Sequence, residues 1–414
     1  MKSVKSIRTK SLFILVCIVF FSPIVSAEET NPLSIDINNG LRISTNDHRN
    51  SMLFGGYLLF DTIPYDDNNE RHVRYDLFNA WIFVVGKIDE YFAYKIQYSI
   101  DDASGKKLRD AYGSFQITKN HQIRIGHFDI PTYAEHISAL TYAPLAGRSI
   151  VDSLTPGRDV GMMLNGNYFS QRWHYSLGLF NGNGIDSNGE DNGQKDAAFR
   201  LTGRLFGDTD SSGFRIYPDF SISGGKQNGD NIRFRTESGT TMLRADNLPV
   251  DDRYRVSASL YSIFESLTFK GDYLTNRYHF TDTGNSGAVS AFSLLLSYYV
   301  TGESDNYSGG LFQKTSPLKP YRTGGGSGAW QFVFRYSQFN ASQHFIDSVT
   351  TNSGATSIQE ASRANAYTAG INWLLSSHAR VNVSMIHTRL DRLGQSKLSA
   401  YENSFIMRFA LQYF

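Results

Sequence analysis

This sequence predicts an all-β fold: a transmembrane antiparallel β-barrel of about 16 strands with one loop folded inward to constrict it. Three observations carry the prediction. The chain opens with an export signal. From there to the end, two-faced alternating segments recur in a chain that is 14% aromatic. Beyond the signal, no apolar run reaches the roughly 20 residues of a membrane helix.

Lys2, Lys5, Arg8 and Lys10 precede a short apolar stretch from Leu12 to Val25, and Val25-Ser26-Ala27 is a small-residue cleavage site. Residues 1–27 therefore read as a secretory signal peptide. Cys17, the only cysteine, lies inside it, so no disulfide or thiolate metal site is expected afterwards. The whole chain carries 40 Lys+Arg against 39 Asp+Glu. Removing the four signal cations leaves 36 against 39, a net of −3, which excludes a basic nucleic-acid binder. No linker or shift in composition divides the rest. Residues 28–50 read as a periplasmic segment and the start of the barrel, and residues 51–414 as the barrel.

Met52 to Asp61 is the first clear strand, with Gly55-Gly56 marking a bend or close approach. Tyr91 to Asp101 alternates most cleanly: Phe92, Tyr94, Ile96 and Tyr98 on one face, Lys95, Gln97, Ser99 and Asp101 on the other. One face suits lipid and the other water. The pattern returns around Trp173–Leu179, Phe199–Leu205, Trp330–Tyr336, Tyr367–Trp373 and Val381–Met385. Short connections such as Phe206-Gly207-Asp208 and Leu375–His378 suit the periplasmic side. Long polar ones at 181–196, 224–253, 301–328 and 341–364 are expected outside. About 24 residues per strand plus connection gives the count of 16, an even number as such barrels prefer. The last strand, Tyr401 to Phe414, puts Tyr401, Asn403, Phe405, Met407, Phe409, Leu411 and Tyr413 on one face. The aromatic ending Tyr413-Phe414 fits recognition by the barrel assembly machinery, although Phe414 is out of phase with that face.

Between His121–Phe128, a strand, and the return at Pro156–Gly161 lies a connection of roughly 25 residues, too long and too apolar for an ordinary or disordered loop. It is expected to fold into the pore. Its cation between Pro131 and Pro156 is Arg148, with Glu135 and Asp152 beside it.

Several segments together resemble the phosphate-selective porin O and P family. They are Met52–Asp61, Ile125–Pro131 with the loop and Pro156–Gly161, Gly178–Gly184, Tyr299–Glu303, Gly328–Phe332 and Gly370–Leu374. The resemblance spans about residues 40–414 in the expected order. It implies a trimeric 16-stranded barrel whose third loop folds inward and whose Arg and Lys side chains draw anions through. Where the family commonly carries Arg after the Gly pair, this chain has Tyr57.

Filter cations are the functional candidates, because an ion shedding water at a narrow point needs replacement donors. Strand parity sends Lys95, Arg124, Arg200, Arg204, Arg335 and Arg408 toward the lumen, and Arg148 and Arg158 belong to the loop and its return. The alternative for each is that it pairs with a lumen carboxylate such as Asp101, Asp110 or Glu402 and only solvates the interior. Asp186–Asp191 hints at calcium spacing, but its glycine is misplaced. The ten histidines show no zinc spacing, and no nucleophile elbow, P-loop or dinucleotide fingerprint is present. No cofactor is expected. A lipid hydrolase would need a Ser–His pair on the outer wall, which no strand displays. A purely structural barrel would need no constriction. A general, sugar or peptide porin stays open, with Phe128, Tyr133 and Tyr142 near the loop. The reading is a non-enzymatic outer-membrane channel for small anions, phosphate or polyphosphate among them, with weak to moderate preference.

Overall fold

The computed structural model describes residues 33–38, 40–67, 70–101, 107–182, 193–207, 213–281, 284–352, 361–392 and 399–414. The expected signal at 1–27 and the Asp186–Asp191 run lie outside the described residues. Sixteen antiparallel strands form a closed barrel. They are β1 (Ser51–Asp67), β2 (Glu70–Ile88), β3 (Phe92–Ser99), β4 (Leu108–Thr118), β5 (His121–Asp129), β6 (Arg158–Tyr168), β7 (Trp173–Phe180) and β8 (Asp196–Gly203), followed by β9 (Phe214–Lys226), β10 (Val250–Phe264), β11 (Leu267–Phe280), β12 (Ser286–Tyr299), β13 (Ala329–Ala341), β14 (Ala361–Leu374), β15 (Ala379–Arg392) and β16 (Ser399–Tyr413). Each pairs with its sequence neighbour, and β16 closes on β1 from Met407 opposite Thr62 to Tyr413 opposite Gly56.

Alternation makes the wall two-faced. On β11, Leu267, Phe269 and Tyr273 are exposed, while Thr268, Lys270, Asp272 and Leu274 are buried inside. Residues directly opposite one another across a pair share a face. The registers therefore carry one inward set around the barrel, for example Ser257, Leu274, Ala291, Phe339 and Ala364.

Strand direction assigns the ends. The start of β1, the end of β16 and the short turns after β2, β4, β6, β10 and β14 share one end, the periplasmic one in a bacterial barrel. The connections after β5, β7, β9 and β13 leave from the other end. Thr301–Gly328, expected outside because it is long and polar, joins β12 to β13 at the periplasmic end. There Lys314 Nζ donates to the main-chain oxygen of Phe414 at 2.9 Å, and Tyr321 N donates to Leu375 O at 2.8 Å. Length had assigned the side, but the number of strands traversed decides it.

Three connections fold into the outer half of the lumen and build an apolar core there. The constriction loop supplies Ile150, Val151 and Leu154. A hairpin of Asp230–Arg235 and Thr241–Leu248 supplies Phe234, Met242 and Leu243. A helix in the β13–β14 connection, Gln343–Asn352, supplies Phe345, Ile346 and Val349. They pack on Tyr278, Phe280, Val289 and Phe339 of the wall. Each such side chain contributes roughly 1.5–3 kcal/mol on burial, which favours the inward fold of these loops.

Candidate functional site

The site is the constriction. Asp129 ends β5, and Pro131, which lacks an N–H, cannot continue the ladder. A short helix α1 (Ala134–Ile137) and single 3-10 turns at Leu140–Tyr142 and Ile150–Leu154 follow. Irregular backbone inside a membrane protein needs partners for its carbonyls. The wall supplies them. Ser257 Oγ donates to Thr132 O (3.2 Å), Asn276 Nδ2 to Leu154 O (2.9 Å) and Arg335 Nη2 to Gly147 O (2.9 Å). Arg380 Nη1 donates to Ala143 O (3.0 Å), Asn382 Nδ2 to Pro144 O and Arg408 Nη1 to Ala146 O (2.5 Å). The loop is thereby laid along the β10–β16 wall.

A line of alternating charges holds both loop ends. Lys95 Nζ meets Asp110 at 2.5 Å, Arg158 meets Asp110 and Asp129 at 2.9 Å each, and His136 meets Asp129 at 3.5 Å and Asp152 at 2.8 Å. Arg148 closes the line on Asp152 at 3.5 Å and donates to His136 O at 2.8 Å. Burial alone would depress the His136 pKa, but the charge of Asp152 and hydrogen bonds to Asp129 and Asp152 raise it to about 9. Burial pushes the Asp152 carboxyl up, and Arg148 and His136 more than reverse that, leaving it below the ordinary carboxylate value.

Two further elements meet the loop. The inward hairpin ends at Glu237, fully buried, which accepts from Arg335 Nη2 (2.6 Å), Ser337 Oγ and Thr368 Oγ1 (2.5 Å each). Gly147 faces it so closely that a Cβ would fall 2.3 Å from Glu237 O. From the periplasmic side the 301–328 segment brings Phe312, whose N–H donates to Ser138 Oγ at 3.0 Å. Tyr307, from the same segment, donates to Asp219 at 3.0 Å. Lys270 Nζ sits 3.6 Å over the Phe312 ring. Where the three elements face the wall, a cavity of ≈ 20 Å³ remains between Glu135, Lys270, Asp272, Phe312 and Arg335, room for about one water.

The expected filter cations fall into two groups. Arg200, Arg335 and Arg408 face inward but are buried against Asp219 (2.6 Å), Glu237 (2.6 Å) and Asp61 (2.6 Å), and they act as brackets. Lys95, Arg148 and Arg158 belong to the charge line. Arg124 and Arg204 have no carboxylate partner among the described residues. The Arg124 guanidinium carbon lies 4.2 Å from the Tyr112 ring centre and 5.4 Å from that of Phe128, and Nε of both arginines is buried without a hydrogen-bond partner among the described residues. Arg124 and Arg148 are held by separate partners rather than brought together. The reading also missed inward cations. Arg253, Arg255 and Lys270 face the lumen on β10 and β11. Parity would have found Arg255 and Lys270, whereas Arg253 was hidden at the end of the expected 224–253 loop.

Burial shows where the lumen stays open. On β9–β16 the inward-facing residues are buried almost without a break. On β3–β7, Lys95, Tyr112, Arg124, Asn165, His174 and Ser176 are inward-facing and only half-buried. The residual path therefore follows the short-strand half.

A closed 16-stranded barrel in which one outer loop narrows the lumen is the architecture of an outer-membrane porin. Residues 57–413 match the family described as phosphate-selective porin O and P, and the chain belongs to that family. It is 21% identical to Porin O of Pseudomonas aeruginosa over 418 residues, 92% of each chain. Among solved structures, OprB of Pseudomonas putida aligns with a TM-score of 0.54 at 7% identity, over 87% of this chain and 94% of that one. An anion-selective porin from Comamonas acidovorans aligns at 0.51 and 11% identity, over 88% and 99%. A loop L8 deletion mutant of OmpT from Vibrio cholerae aligns at 0.53 and 14%, over 88% and 100%. The protein is a porin of the bacterial outer membrane.

Proposed function

We propose that the channel passes small anions by passive diffusion, phosphate or polyphosphate among them, with weak to moderate preference over cations. The observation that carries this is Arg124, a lumen cation on the open half of the barrel with no carboxylate beside it among the described residues. Below it, at the periplasmic mouth, Arg204 is likewise without a carboxylate among the described residues, and above it Lys95, Arg158 and Arg148 carry the charge line to the loop. At a narrow point the effective dielectric is below that of water, so one unmatched charge outweighs the net −3 of the exported chain. Arg200 and Arg335 contribute by holding the geometry. Export through residues 1–27, assembly through Tyr413 and Phe414, and a homotrimer in outer-membrane lipid belong to the same reading.

The pairing of most lumen cations with carboxylates favours a second reading, a general or sugar-passing pore. Planar-bilayer reversal potential in a salt gradient separates the two. The unmodified channel is expected to lie on the anion side. Replacing Arg124 and Arg148 together by glutamate is expected to move it to the cation side. A double variant of unchanged ion preference and normal conductance would remove these residues from the filter.

A further inference from the structure

Outside the barrel proper, Leu33–Asp36 and Leu41–Thr45 form a hairpin hydrogen-bonded to the first residues of β1. It occupies the edge that β16 leaves bare, since β16 pairs with β1 only as far as Gly56. The registers fix which way it faces. Leu33 and Ile35 lie opposite Thr45 and Ile43, while Leu41 and Ile43 lie opposite Phe54 and Met52. Those two lie opposite Val84 and Gly86, on the outward side of β2 that carries the exposed Ile82. One side of the hairpin is thus continuous with the lipid-facing surface of the wall.

That side carries Leu33, Ile35, Leu41 and Ile43, with Ile37 continuing the odd-numbered set and the uncharged Thr45 at its periplasmic end opposite Leu33. The other side carries Ser34, Asp36, Arg42 and Ser44. Leu33, Ile35 and Ile37 are 60%, 66% and 64% exposed. Exposed apolar side chains in a row call for a cover. Tyr413, an outward aromatic at the barrel rim, donates its hydroxyl to Ile37 O at 2.9 Å. The next turn carries Asp47 and Arg49, the latter 3.9 Å from Glu90, so charge resumes where the apolar face ends. Gly40, at φ +84°, brings the hairpin turn against the seam, where a Cβ would lie 2.8 Å from Phe54 O.

We propose that this hairpin is a lipid-contacting flap that seals the seam between the first and last strands, its apolar side lying in the periplasmic leaflet of the outer membrane. The occupant is lipid because the face continues the lipid-facing belt in register, carries no charge, and is bounded by an interfacial tyrosine on one side and charged residues on the other. The free edge Leu33–Asp36 offers a rival partner, a second copy adding a strand.

The test uses the full exported chain with Ile35→Cys carrying an environment-sensitive fluorophore, reconstituted in bilayers with and without brominated acyl chains. Ser34→Cys, on the polar side, is the control, and Ile37→Cys replaces Ile35→Cys if that variant does not assemble. The label at 35 is expected to be quenched by about twofold or more while that at 34 is not. Equal quenching at both positions, or none at 35, overturns the proposal. So does efficient crosslinking of Ile35→Cys between copies without quenching, which would assign the face to a second copy.

Discussion

His136 joins the entry and the exit of the constriction loop, because Asp129 ends the strand before it and Asp152 lies in the turn that leads out. Its folded pKa of about 9 lies above the ordinary 6.5. The sign follows: the protonated imidazole contributes fully below about 6.5, and that contribution is lost as pH rises through 9. Single-channel recordings between pH 7 and 10 are therefore expected to show rising closure events or conductance noise as the clamp loosens, and His136→Gln should flatten that dependence. Arg335 sets a different expectation. Removing it strands Glu237, fully buried, without its cation. Arg335→Ala is expected to cost about 3–5 kcal/mol, read as a lowered urea midpoint. At this scale the sequence was half legible. Parity places Arg200, Arg335 and Arg408 on the inward face. It cannot reveal that Arg408 meets Asp61 across the barrel closure or that Arg335 meets a hairpin tip, since those partners are 347 and 98 residues away.

Loops and strands differ in how far their own sequence specifies them. The strands announce themselves by period, and the apolar run through Ile150, Val151 and Leu154 announces a loop with something to bury. Where a loop goes depends on what lies across the lumen. The inward hairpin and the helix Gln343–Asn352 read as long polar connections because their apolar residues are interleaved with polar ones, and the core they share forms only when both meet the constriction loop. The segment between β12 and β13 is the clearest case, placed on the wrong side by its length. Its Phe312 and Tyr307 narrow the lumen from below. Replacing 307–312 by a short glycine-rich link is expected to raise single-channel conductance by about twofold with ion preference retained, because Arg124 lies on β5, away from the β8 and β9 residues this segment touches. Unchanged conductance would mean that this segment lies off the ion path.

The barrel as a whole is lopsided. β3, β7 and β8 have eight residues each, whereas β9 to β16 have 13 to 15. Eight residues at about 3.3 Å each, tilted by about 40°, reach roughly 20 Å, short of the roughly 25 Å apolar band of an outer-membrane barrel. The long-strand side can span lipid on its own, and the low side is better matched to other barrels than to lipid. That asymmetry supports the proposed homotrimer and gives it a direction. Ile125 projects outward from β5, on the low side, and Leu294 from β12, on the tall side, and both are exposed in the single chain. An arginine at a lipid-facing position costs about 2–4 kcal/mol near the bilayer midplane and mainly lowers insertion, whereas an arginine between two barrels repels its own copies as well. Ile125→Arg is therefore expected to shift detergent-extracted protein from trimer to monomer by light scattering, with its strand-dominated circular dichroism intact. Leu294→Arg is expected to reduce the yield recovered in the outer membrane while leaving the recovered protein trimeric. A trimer that survives Ile125→Arg and dissociates with Leu294→Arg would put the tall side at the centre of the assembly, and the low side would then have to be met by a locally thinned bilayer.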